Sequence, residues 1–222
     1  MAKLHTNPQV LIERLLRTLP HGPASRAASP PATEERILDA ALAAFTARGI
    51  RATTMSKLAQ DAGISREWLY KHFRNRDAVV IAVARREALR FIDGLALRSF
   101  TSTDLAEVLT ETFVYSVEFL RDHALLQRVL ESEPEILTPQ LLAGSSPVLS
   151  GVTEAASGYL TALGDVDPRR AAIVAESLVR LVAAITFAPR GLLDLHDGDE
   201  LRRYAAAVVP GLLAAAPAKS SG

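Results

Sequence analysis

Apolar residues return every three or four positions along most of this chain, and the strict alternation of a strand is hard to find. Every element the pattern predicts is therefore a helix. Ile37, Leu38, Ala41, Leu42 and Phe45 share one side of a helix over 33–48, and Glu34 and Glu35 stand in its first turn, where the helix dipole favours acids. Gly49 closes that helix. Two short helices follow. Thr54 caps the first, which carries Leu58 and Ala59 inward and stops at Gly63, where the backbone needs a positive φ. Ser65 caps the second, and Ile64, Leu69 and Phe73 give it an apolar side. A long helix is predicted from Asp77 to about Ser99, then further helices over 104–122, 124–132, 135–142, 146–163, 168–188 and 199–213.

The breaks divide the chain. Asn7-Pro8 starts a helix whose stripe is Val10, Leu11, Ile12, Leu15, Leu16 and Leu19, and Pro20 ends it. The segment over 21–32 has no core-forming pattern and reads as linker. Residues 1–32 are thus an extension with a tethered amphipathic helix. That helix packs on its own subunit or a partner, or lies on a membrane surface; alternatively the extension is largely disordered, with Arg14, Arg17 and Arg26 helping on DNA. The fold class is all-α, with a small three-helix domain over 33–77, a larger helical domain over 78–216, and a fraying tail over 217–222.

Charge sharpens that division. The net charge is zero, but residues 1–77 hold 12 Lys/Arg against 7 Asp/Glu, and residues 78–222 hold 13 against 18. A basic end on an acidic body suits a protein that sets one end on phosphate. There are no cysteines, hence no disulfide framework and no thiolate ligand or nucleophile. No segment has the roughly 18 apolar residues needed to span a bilayer, and Val10 to Leu19 is interrupted by Glu13, Arg14 and Arg17, so it is no signal-peptide core. The expected location is the cytoplasm. No Gly-rich phosphate loop or His-x-x-x-His spacing supports catalysis, and no cofactor is expected. The acidic loop at Asp194, His196, Asp197 and Asp199 is read as solvated, with Asp199 as an N-cap, so no metal is expected either.

With Leu69 and Phe73 inward, the short helix after Ser65 turns Arg66, Trp68, Tyr70, Lys71 and His72 outward, as a helix-turn-helix recognition helix does. The order of motifs narrows the resemblance. A first helix, then Gly-Ile-Arg-Ala-Thr-Thr, LAQDAGIS, LYKHF and RNRD resembles the TetR family of transcriptional regulators from Glu34 to about Val83. That resemblance implies a homodimer, double-stranded operator DNA and a small-molecule effector as partners, and no membrane. It also makes 33–77 the DNA-binding domain and 78–216 the effector-binding and dimerisation domain.

By the same resemblance Thr54, Tyr70, His72 and Arg76 position the protein on phosphates, and the helix starts at Met55 and Ser65 contribute to the DNA face. Base reading falls to Ser56, Arg66, Glu67, Trp68 and Lys71. The guanidinium fork of Arg66 matches guanine O6 and N7. Glu67 and Trp68 depart from the family, which usually has small residues there. Trp68 presses on thymine methyls or packs against the first helix; Glu67 accepts from cytosine N4 or holds Arg66. A non-specific architectural DNA binder is the alternative function.

For the effector, periodicity offers Phe113, Val117, Leu120, Leu130, Leu137, Leu141, Tyr159 and Phe187, each of them plain core or pocket wall. Arg180 stands in an otherwise apolar helix, and a buried Arg needs a partner. Glu176, four residues earlier, can supply one; an anionic effector is the sharper reading. Helices 168–188 and 199–213 are apolar nearly all round, so they are expected to be buried on more than one side. The family resemblance makes them a dimer interface.

Overall fold

The computed structural model describes residues 32–99, 104–136, 147–163, 166–188 and 190–215. The amphipathic helix and linker expected ahead of Ala32, the pocket candidates Leu137 and Leu141, and the tail over 217–222 lie outside the described residues.

Helix α1 spans Ala32–Arg48 and buries Ile37, Leu38, Ala41, Ala44 and Phe45. It stops at Gly49, whose φ of 85° suits a residue without Cβ and whose N–H donates to the Phe45 carbonyl at 2.9 Å. Thr53 closes the turn from inside: it is fully buried, and its Oγ1 donates to the Gly49 carbonyl at 2.8 Å. Helix α2 spans Met55–Asp61, with Thr54 accepting from the Lys57 N–H at 3.2 Å. It ends in two nested bonds, Ile64 N–H to the Ala59 carbonyl at 3.0 Å and Gly63 N–H to the Gln60 carbonyl at 3.1 Å. Gly63 takes φ 64°, the left-handed cap that turns the chain toward the next helix. Helix α3, Arg66–His72, starts where Ser65 accepts from the Trp68 N–H at 3.1 Å. Helix α4, Arg76–Ser99, starts one residue before the expected Asp77, because Asn75 Oδ1 accepts from the Ala78 N–H at 2.9 Å.

The remaining helices are α5 (Leu105–Asp122), α6 (Ala124–Ser132), α7 (Pro147–Leu163), α8 (Pro168–Phe187) and α9 (Gly198–Ala215). In place of a helix beginning at 135, the described part is one 3₁₀ turn, Pro134–Ile136. Pro134 brings no N–H with which to continue α6. The described residues contain no strand, and the protein is all-α.

These residues form two compact units. The first holds 32–89, 123–136 and 147–148, so α6 and the start of α4 pack with the three small helices, although the sequence boundary at Asp77 set them in the larger domain. Its core joins Phe45, Leu58, Leu69, Phe73 and Val83. Each such side chain contributes about 1.5–3 kcal/mol by leaving water. Arg86 pins α4 to α1. Its side chain is 8% exposed, with Nη1 donating to Asp39 at 2.7 Å and Glu35 at 3.1 Å and Nε donating to Glu87 at 3.2 Å. Burial alone would lower the Arg86 guanidinium; the bonds to Glu35 and Asp39 and the charge of Glu87 outweigh it, and the net shift is upward.

The second unit holds the described residues of 90–122 and 149–215. Its core joins Leu109, Phe113 and Val117 of α5 with Leu160 of α7, Val174 of α8, and Leu201 and Val209 of α9. Helices α8 and α9 were expected to be covered on more than one side, but in the single chain each keeps an open stripe. On α8 it runs through Ile173, Ser177, Arg180, Ala184 and Phe187, and on α9 through Arg203, Ala207, Gly211 and Ala214.

Candidate nucleic-acid interface

A seven-residue helix such as α3 has no stability alone. Leu69 and Phe73, 0% and 6% exposed, seat it in the core of the first unit. The helical period then turns Arg66, Glu67, Tyr70 and Lys71 to the surface, where all four are exposed. The side chains of Arg66, Glu67 and Lys71 make no hydrogen bond or ion pair with another described residue, so Glu67 does not hold Arg66. Trp68 is 37% exposed, and its ring stacks on His72 of its own helix.

The start of α2 lies at the surface too. Thr54 and Ser56 are exposed, and the Thr54 hydroxyl, having accepted from Lys57, keeps its own O–H to donate. Met55 requires a correction: its side chain is in the core, 9% exposed, and only its backbone N–H in the first turn is left for an anion. Ser65 is exposed at the start of α3. Arg76 is half-buried, and its Nη1 donates to the Arg51 carbonyl at 2.8 Å, so part of that guanidinium is used within the chain. Two further cations were not singled out in the sequence, Arg48 and Lys57. Both bind Asp61, at 2.7 and 2.9 Å. The spacing of Lys57 and Asp61 is legible on a helix; that of Arg48 and Asp61 crosses two helices and is not.

The effector candidates separate. Phe113 and Val117 are core residues of the second unit, and Leu120 is half-buried in it. Leu130 is half-buried in the first unit. Phe187 is 38% exposed on the open stripe of α8. Arg180 is a second correction. It pairs with Glu176, as the spacing predicts, but it is not buried: its side chain is 67% exposed, on the open stripe of α8. Tyr159 is half-buried with a hydroxyl that has no hydrogen-bond partner among the described residues, and desolvation raises its pKa above the ordinary value. The structure adds a group the periodicity did not single out. Phe91 of α4 stands 5.6 Å from Tyr115 and 5.2 Å from Phe119 of α5, and Gly94 leaves the room, since a Cβ there would overlap the Tyr115 hydroxyl. No described helix is long and apolar enough to cross a membrane.

Residues 37–83 match the family described as bacterial regulatory proteins, tetR family. The chain is 30% identical over 177 residues to an uncharacterised helix-turn-helix-type transcriptional regulator of Mycobacterium tuberculosis (strain CDC 1551 / Oshkosh), covering 79% of this chain and 83% of that one. It is 26% identical over 171 residues to the transcriptional activator FasR of Mycolicibacterium smegmatis, covering 76% and 78%. Among solved structures, AlkX, a TetR family repressor from Dietzia sp. implicated in biodegradation of n-alkanes, shares the fold. Its TM-score is 0.60 at 20% identity, over 87% of this chain and 100% of that one.

Proposed function

This chain belongs to the TetR family of transcriptional regulators and is not an enzyme, and from that footing we propose that it is a homodimeric repressor. It binds a palindromic operator and is released by a small, mostly apolar effector. The observation that carries the DNA half of this reading is the exposed, unpaired row of α3. Arg66 and Lys71 spend no charge on another described residue and are held at the surface by Leu69 and Phe73 behind them. Unpaired cations on a helix of this kind favour DNA over a solvated surface. Arg66 reads guanine and Lys71 and Trp68 neighbouring base edges, while Thr54, Tyr70, His72 and Arg76 take phosphates.

The open stripes of α8 and α9 support the dimer. Ala184, Ala207, Gly211 and Ala214 are small enough for two helices of one chain to pack closely on two helices of a second. The two α3 helices of such a dimer would meet half-sites in successive major grooves about 34–36 Å apart or somewhat more. The effector belongs to the second unit, where Phe113, Val117 and the ring cluster of Phe91, Tyr115 and Phe119 offer apolar surface and few polar groups. Helix α4 has residues in both units and carries the signal. An effector shifts the equilibrium only by its differential affinity for the two states.

Selection from random duplexes tests the first half. A two-fold symmetric site, bound far more tightly than random DNA, is the expected result. Equal binding to all sequences would make the protein an architectural binder. Arg66→Ala should relax the preference at one base pair per half-site and cost about 1–3 kcal/mol for each bidentate guanine pairing it removes, and Arg76→Ala should weaken all sequences alike. Coupling tests the second half: an inducer must weaken operator binding by the factor by which operator weakens inducer binding. A reporter behind the operator decides the sign. Because the FasR relative is named an activator, lower expression on deletion of this protein would replace repressor by activator.

A further inference from the structure

The loop ahead of α2 is held from three sides at one residue. The Arg51 N–H donates to Glu133 Oε1 at 3.1 Å, its carbonyl accepts from Arg76 Nη1 at 2.8 Å, and its guanidinium pairs with Glu135. Glu133 follows the last residue of α6 and is only 7% exposed. A carboxylate is buried that deeply only against compensating bonds. One is the Arg51 N–H. The same Oε1 also occupies the space over Gly49: a Cβ built there would overlap it, at a position whose φ of 85° already favours glycine. The other oxygen, Oε2, is buried with no hydrogen-bond partner among the described residues. From inside, Thr53 Oγ1 closes the same loop onto the Gly49 carbonyl at 2.8 Å. The loop from Gly49 to Thr53 is thus a frame with a carboxylate on one side and a hydroxyl on the other, and Thr54, the cap of α2, is its next residue.

Helix α6 is also tied at its start. His123 Nδ1 accepts from the Leu126 N–H at 3.2 Å, which places the ring proton on Nε2, 3.4 Å from Glu87 Oε2 on α4. The carboxylate over the loop therefore stands at the end of a helix fixed to α4 at its other end.

We propose, resting on the reading of the first unit as a DNA-binding head, that Glu133 is a positioning residue for DNA binding. Through Arg51 its carboxylate sets the loop that presents Thr54 and the start of α2 to phosphate. Electrostatics alone gives the opposite expectation. An acid near a polyanion repels it, so removing the charge should tighten binding. Positioning requires that losing the acceptor weaken binding, although a negative charge has gone.

The test is duplex binding by the full chain, wild type against Glu133→Ala and Glu133→Gln, as a function of salt, with thermal melting beside it. Glu133→Gln keeps an oxygen acceptor for the Arg51 N–H and should bind at least as tightly as wild type. Glu133→Ala should bind about tenfold more weakly, the scale of one hydrogen bond. Its slope of log K against log salt should be shallower by about one for each phosphate that is no longer reached. A variant that is merely less stable loses affinity in proportion to its unfolded fraction and keeps the wild-type slope; that result overturns the proposal. So does equal tightening by both variants, which would make Glu133 a charge and nothing more. Wild-type protein that binds no duplex would overturn the DNA-binding head itself, and that control tells the two failures apart.

Discussion

The indole of Trp68 lies on the imidazole of His72, one helical turn further along α3, with ring centroids 3.8 Å apart and planes 18° from parallel. His72 Nδ1 also donates to the Trp68 carbonyl at 3.0 Å, which leaves Nε2 as the ring atom available to DNA. The two side chains act as one unit, the stack holding the indole at the surface and the hydrogen bond fixing the imidazole.

If Trp68 meets a base edge as proposed, Trp68→Ala should weaken the preferred site by about 1 kcal/mol more than random duplex, because it removes that ring and loosens His72 as well. Fluorescence anisotropy with both duplexes measures the difference. Trp68 is the one tryptophan of the chain, so its emission should change as operator is titrated in. Constant emission at saturation would mean that α3 does not meet DNA through this residue.

Arg86 carries a second prediction. Replacing it with Ala takes the guanidinium away from Glu35, Asp39 and Glu87, of which Glu87 keeps His123 beside it. Breaking a buried pair costs about 3–5 kcal/mol, and the lower end applies here because the Asp39 side chain stays 66% exposed. Arg86→Lys keeps the charge but cannot reach all three carboxylates with one ammonium, and should fall between. Urea unfolding of the three proteins should rank them wild type, Lys, Ala.

The pH dependence of the head follows from Asp61. Hydrogen bonding from Lys57, then from Arg48, holds its carboxyl below the ordinary value of 3.8. A carboxyl depressed by folding adds stability above its unfolded value and loses that contribution as pH falls through the lower folded one. Asp61→Asn should therefore unfold at lower urea than wild type near neutral pH, and the gap should close as the pH drops below 3.8. The site is exposed, so high salt should shrink the gap as well. A gap that widened in acid would reverse the sign.

The open stripe of α9 carries the last prediction. Ala207 lies in the middle of it, exposed in the single chain. Ala207→Glu leaves the fold of one chain untouched and places a charge where a second chain would pack. Wild type should sediment at about twice 23.9 kDa and the variant at 23.9 kDa. A variant that stays dimeric would move the interface elsewhere.

The head was legible in the sequence because its signals are local. Thr54 and Ser65 cap helices through bonds to the third residue onward, at 3.2 and 3.1 Å, and Gly63 ends α2 through bonds that reach back no further than Ala59. Such interactions have a fixed spacing, so residue type and position are enough. The inward set Leu58, Leu69 and Phe73 follows from the helical period for the same reason.

Tertiary structure decided the rest. Arg51 and Glu133 are 82 positions apart and Arg86 and Glu35 are 51 apart, and no spacing rule joins residues so distant. Which side of a helix is covered is likewise settled by what packs on it. Arg180 looked buried because its helix is apolar, yet in the single chain it stands on the uncovered stripe, beside Ile173, Ala184 and Phe187, and is 67% exposed. Met55 looked like part of the DNA face because it starts a helix, yet its side chain fills the core. Period tells which residues share a face; only the partner helix, set by packing across the whole chain, tells which face is inside.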